Sequence, residues 1–188
     1  QGNTIQLFAD TNTDWHIFGW EMPSTWFQSL NPMFIFLLAP ILNIVWRWQS
    51  KRNQEPSSVL KMAIGCFLVG ISFLVLMYVA SGMSDTTRIS FLWLVGCTLV
   101  YTLGELYLSP IGLSLVTKVA PARLVGMLMG MWFLSSFFGN YLSGYLGIYY
   151  ETMTKSSFFM MLTILGVAAG FAIFALQRPL KKAIGGNL

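Results

Sequence analysis

Ser90 to Thr117 reads SFLWLVGCTLVYTLGELYLSPIGLSLVT. A single ionisable acid, Glu105, interrupts this run near its middle. A helix that spans a bilayer needs about 20 mostly apolar residues, and this stretch supplies them. The same reading recurs on both sides. Trp26 to Trp48, Leu60 to Ser81, Ala122 to Ile148 and Ser157 to Leu176 are each predicted to span. Residues 1–9 read as the end of a further transmembrane helix, 10–25 as an extracytoplasmic loop, and 177–188 as a cytoplasmic tail.

The whole chain agrees with its parts. It has 188 residues, 55% hydrophobic and only 10% charged, with a mean hydropathy of +0.65. Soluble domains carry about 25% charged residues. Disorder is excluded, because disorder requires low hydrophobicity. A soluble enzyme is argued against, because so few polar groups cannot cover the apolar surface. The expected fold is all-α, a polytopic helical bundle. The net charge of +4 does not indicate nucleic acid, because the 11 Lys and Arg sit in short loops between apolar runs. Cys66 and Cys97 lie inside such runs without CxxC spacing, so neither a disulfide framework nor a metal site is expected. No Walker loop, GxGxxG, HExxH or GxSxG is present, which leaves no support for an enzyme or a cofactor.

Short connections force neighbouring spans to be antiparallel, so loops alternate between the two sides. One side carries Arg47, Lys51, Arg52, Lys61, Lys118, Arg123, Arg178, Lys181 and Lys182, the other only Arg88 and Lys155. The positive-inside rule makes the first side cytoplasmic, with the C-terminus inside. Trp15, Trp20, Trp26, Trp46, Trp48 and Trp93 fall near the interfaces, where amphipathic rings belong. Gly126-x-x-x-Gly130, Gly139-x-x-x-Ser143-x-x-x-Gly147 and Gly166-x-x-x-Gly170 place small residues on single faces, which lets helices approach closely in lipid.

Glu105 is the leading functional candidate. A carboxylate at membrane depth costs at least about 2.5 kcal/mol on insertion scales and belongs at a bundle interior or a wet cavity. Tyr101, Glu105, Ser109 and Gly112 share one helical face with it. Pro110 cannot donate to the carbonyl of Leu106 and is a candidate gating bend or a static one. Asn31, in Asn31-Pro32, either caps the start of its span or contacts a ligand, with capping preferred. Pro40 is a further bend candidate, and Asn43 reads as an interhelical hydrogen bonder. Trp132 lies off the interfacial belt, either as a cavity wall or as core. His16, the one histidine, reads as a plain loop residue.

Several of these strings match a known pattern. Phe27-Gln28-Ser29-Leu30-Asn31-Pro32 resembles the start of the eighth helix of the proton-dependent oligopeptide transporter family, within the major facilitator superfamily. Gly104-Glu105-Leu106, Ser109-Pro110, Gly112-Leu113-Ser114, Thr117-Lys118 and Ala120-Pro121 resemble its tenth-helix signature, and Gly130-x-Trp132-Phe133-Leu134-Ser135 its eleventh helix. The resemblance implies a C-terminal half, the end of helix seven plus helices eight to twelve, of a bacterial inner-membrane importer of di- and tripeptides with protons. It implies that Glu105 and Asn31 hold the peptide amino terminus, that Trp132 lines the central pocket, and that the Ser109-Pro110 region bends during gating. The implied partners are peptides, protons, the lipid bilayer and the N-terminal half of the same transporter. That half would carry the paired acids and Arg of helix one, and an acid of helix seven would precede Gln1. The residues alone leave open a transporter of another solute or a non-transporting helical subunit.

Overall fold

Helix ends are set by local chemistry that the hydropathy profile does not report. The computed structural model describes residues 2–17, 20–21, 23–82 and 88–183. Helix α1 (Gly2–Asn12) leads into three two-residue strands, β1 (Thr13–Asp14), β2 (His16–Ile17) and β3 (Trp20–Glu21). A 3-10 turn, Ser24–Trp26, opens α2 (Phe27–Lys51). Then follow α3 (Ser58–Ser81), β4 (Ile89–Ser90), α4 (Phe91–Val119), α5 (Val125–Gly147), the short α6 (Tyr149–Thr152) and α7 (Lys155–Ala183). The chain is all-α apart from two strand pairs, β2 antiparallel to β3 and β1 parallel to β4.

The caps explain the boundaries. Ser57 and Ser90 turn their hydroxyls onto the amides of Leu60 and Leu92, satisfying donors left open at the starts of α3 and α4. Helix α2 stops where Asn53 takes a positive φ of 53°, a conformation Asn tolerates better than most residues. Pro32, Pro40 and Pro110 all lie inside continuous helices. Most helix ends fall within a few residues of the ends of the apolar stretches. Helix α1 runs three residues past its expected end, and α7 continues beyond Leu176.

Four helices, α2, α3, α4 and the first 24 residues of α7, are long and apolar enough to cross a membrane. Helix α5, the remaining predicted span, has 23 residues, about 34 Å at 1.5 Å per residue. Its apolar character is diluted by Ser135, Ser136, Asn140, Ser143 and its glycines.

Helix α3 is the centre of the packing. Gly65 and Gly104 bring α3 and α4 together: a Cβ on either would lie under 3 Å from the other's carbonyl oxygen. Gly70 and Gly166 do the same for α3 and α7, and Gly170 receives the ring of Phe67. The Cys97 thiol also donates to the Ser72 carbonyl across α3 and α4. A buried cluster including Phe8, Leu76, Leu94 and Phe159 fills the end next to β1 and β4. Trp15 belongs to that cluster. The sequence placed it near an interface; the structure buries it against Phe27 and Phe91, its indole donating to the Ala9 carbonyl. Trp15 directly follows β1, which pairs with β4. The side chains of His16 and Trp20 lie outside the described residues.

Helix α5 contrasts with this. It buries no residue, and a Cβ at Gly126, Gly130, Gly139, Gly144 or Gly147 would meet nothing within 4 Å. Its small-residue faces, expected to seat helices, seat none among the described residues.

Candidate functional site

The site begins with the position of Glu105. It is the fifteenth of the 29 residues of α4, hence at the centre of that helix. It does not face lipid alone. The side-chain amide of Asn31, on the second turn of α2, donates to its carboxylate at 3.0 Å. Asn31 therefore does not cap α2, as its position had suggested; the residue at that cap, Trp26, makes no side-chain capping bond. With its amide turned toward α4, Asn31 ties the opening of α2 to the middle of α4.

Thr102 completes the arrangement. Its hydroxyl lies 2.6 Å from Asn31 Oδ1 and 2.7 Å from the Thr98 carbonyl. One hydroxyl proton serves one of these acceptors at a time. When it serves Asn31, the amide oxygen is held and the amide N–H is aimed at Glu105. Thr98, Thr102 and Glu105 follow at four- and three-residue steps on α4, so one helical face presents them together. The sequence reading missed Thr102; the three-residue spacing to Glu105 was the available signal.

The Glu105 carboxylate has about four lone-pair directions, and among the described residues only Asn31 hydrogen-bonds to it. No Lys or Arg among them pairs with it. Next to Asn31 lies a cavity of about 210 Å³, lined by Ile5, Gln6, Phe27, Gln28, Thr98 and Tyr101 as well as Asn31 itself. Tyr101 also packs edge-on against Phe73 of α3. The cavity thus combines amides, a hydroxyl and a phenol with aromatic wall.

Trp132 reaches the same helix from α5. Its indole occupies the space that a Cβ on Gly112 would need. Gly112 is seven residues from Glu105 on the same face, about 10 Å along the helix. Absence of a side chain at 112 is what lets the tip of the indole reach α4. Ser109 is exposed, and no described group bonds its hydroxyl. Pro110 is exposed as well and borders a different cavity, at the basic end of the bundle. The structure therefore brings Asn31, Tyr101 and Glu105 together, sets Trp132 beside them on the Gly112 face, and leaves Ser109 and Pro110 outside the hydrogen-bonded group.

The chain is similar to known proteins over most of its length. The model of the POT family (PTR2) matches residues 1–166. The peptide transporter YePEPT of Yersinia enterocolitica is 44% identical over 146 residues, covering 77% of this chain and 29% of that protein. A di-/tripeptide transporter of Lactococcus lactis subsp. cremoris is 32% identical over 94% of this chain and 35% of its own length. A crystal structure of a mutant peptide transporter POT in complex with alafosfalin superposes with a TM-score of 0.88 at 33% identity, over 99% of this chain and 38% of that one. The chain spans about a third of the length of these relatives. With its apolar helices in the major-facilitator arrangement and its sequence matched across most of its length, this multi-pass membrane protein belongs to the POT family.

Proposed function

We propose that this chain is the C-terminal half of a proton-coupled symporter of di- and tripeptides, and that the peptide amino terminus is held by Glu105 and Asn31. The observation that carries this reading is the Asn31–Glu105 bond, which fixes a carboxylate at the centre of a spanning helix while leaving most of its acceptor capacity open. A peptide's terminal ammonium has three donors and suits such an acceptor; a charge-assisted bond of this kind is about twice as strong as a neutral one. A proton taken up by the same carboxyl removes the charge that holds the ammonium. Binding and protonation at one group then compete, and that competition is the coupling. The cavity beside Asn31 accommodates the first residues of the peptide, with Tyr101 on its wall, and the indole of Trp132 covers the α4 face further along.

Transport proceeds by alternating access around this site, which lies between two halves of the transporter. Bending at Ser109-Pro110 accompanies it, because the missing amide at Pro110 weakens the helix there. The nine-to-two division of Lys and Arg supports insertion in the bacterial inner membrane with the C-terminus in the cytoplasm. The names of the relatives, and the alafosfalin bound in one of them, support a substrate with a peptide-like backbone.

Reconstitution of the full-length transporter tests the reading. In liposomes with an inward proton gradient, Glu105→Gln is expected to abolish accumulation of a labelled dipeptide, a loss of 100-fold or more corresponding to about 3 kcal/mol, the upper range for a hydrogen bond to a charged group. Undiminished accumulation by that variant overturns it. Failure of di- and tripeptides to compete for uptake of a labelled dipeptide, while an unrelated solute does, overturns the substrate class.

A further inference from the structure

The basic end of the bundle holds a second cavity, of about 430 Å³, which borders α4 from Pro110 to Lys118. Trp46 contributes to it from α2, Ser58 and Lys61 from α3, Ser114 and Lys118 from α4, and Glu55 from the loop between α2 and α3. We infer that this cavity binds a phosphate-type oxyanion, with Lys61, Lys118 and the Trp46 indole N–H as its donors.

Three features of the cavity point to an anion. Lys61 is only 7% exposed. Its hydrogen bond goes to Glu55, and among the described residues that is the only one, so two of its three N–H groups lack acceptors. The Trp46 ring stacks 4.7 Å from the Lys61 ammonium, and the buried Trp46 Nε1–H has no partner among the described residues. A buried donor without an acceptor is costly, and Trp46 and Lys61, the residues that carry these donors, both line the cavity. Charge points the same way. Lys61 and Lys118 outweigh Glu55 by one unit, and α3 begins here, adding the positive end of its dipole. A tetrahedral oxyanion has enough acceptor atoms to serve the indole and both ammonium groups together.

The position narrows the source. Trp46 lies near the end of α2, Ser58 is the first residue of α3 and Lys118 the last but one of α4. Phospholipid headgroups sit at that depth, and free phosphate in water reaches it too. The site is separate from the peptide site, so its test does not depend on transport.

The intact transporter, purified in neutral detergent, is titrated in three arms: inorganic phosphate, phosphatidylglycerol, and diacylglycerol with the same tails and no phosphate. Thermal unfolding is followed in each. A saturable rise in melting temperature is expected with one of the first two and not with the third. A response to phosphatidylglycerol alone assigns a lipid headgroup, and a response to inorganic phosphate assigns a soluble anion. Trp46→Phe, which keeps the ring and deletes the N–H, and Lys118→Gln are each expected to weaken the apparent affinity about tenfold, the scale of one hydrogen bond to a charged group; Lys118→Arg retains it. Silence in both phosphate arms, an equal response to diacylglycerol, or unchanged affinity in both weakened variants overturns the assignment.

Discussion

Gly166-x-x-x-Gly170 and Gly126-x-x-x-Gly130 have the same spacing, yet the first lies against the backbone of Gly70 and the ring of Phe67, while a Cβ on either glycine of the second would meet nothing within 4 Å among the described residues. The stripe on α7 belongs to a tight unit, α3 with α4 and α7, in which glycine replaces side chain at each crossing. The stripe on α5 belongs to a helix with no buried residue. Small residues permit close approach and do not cause it. What decides is whether a partner helix presents a matching groove at the same height. Helix α3 does so twice, with Gly65 toward Gly104 and Gly70 toward Gly166.

This contrast is open to direct attack. The largest effect is expected at Gly104→Ala. The new methyl would meet the Gly65 carbonyl and the Val69 side chain at 2.8 Å, and the Val69 amide at 3.0 Å. Backbone cannot step aside, so the cost should reach the ~1–3 kcal/mol of an overpacked core, read as a fall in melting temperature in detergent. An unchanged melting temperature would show that α3 and α4 are not locked at this crossing.

Gly112→Ala probes the one place where the tight unit meets the open helix. The indole of Trp132 must leave the α4 face, and α5 is free enough to let it. Stability should therefore fall by less than for Gly104→Ala, at the low end of ~1–3 kcal/mol, while peptide affinity in a binding assay falls clearly. Adding Trp132→Phe makes room and should recover part of that affinity; no recovery separates Gly112 from Trp132.

In the open helix the sign reverses. Gly130→Ala removes a flexible residue from a helix interior, where Gly is disfavoured by ~0.5–1 kcal/mol relative to Ala, and should raise the melting temperature slightly. A fall in the full-length transporter would instead reveal a surface outside this chain packed on α5.

The smallest effect belongs to Glu55, which anchors the start of α3 through Lys61. The Lys61 hydrogen bond holds its carboxyl below the ordinary value of 4.5. Its pairing contributes fully above that value and is lost as the pH falls below it through the lowered one. Glu55 is well exposed, and screening keeps the contribution under about 1 kcal/mol. Glu55→Gln should flatten this acid limb of a stability profile, and an identical profile would remove the pair from the account of the tight unit.

The same division separates what was readable beforehand. Glu105 stood out because a lone acid in a long apolar run is visible without coordinates, and its helix mates Tyr101 and Gly112 follow from helical periodicity. The preference for Asn31 as a cap failed because a polar residue near a helix start looks like one; its partner lies 74 positions away, where no local pattern reaches. For Trp15 the sequence indicated only a place near an interface; its burial beside the paired β1 and β4 shows in the structure alone.

Hydropathy and length are local sums, so the sequence by itself determined an all-α membrane bundle, the approximate extent of its helices, the uneven distribution of Lys and Arg and the acid at the centre of α4. Rotation and stagger of the helices were decided only in three dimensions, because they depend on pairwise fits between distant surfaces. Those fits turned Asn31 toward Glu105, laid Trp132 on Gly112, closed α3 against two glycine-bearing neighbours and buried Lys61 beside an indole N–H that lacks an acceptor.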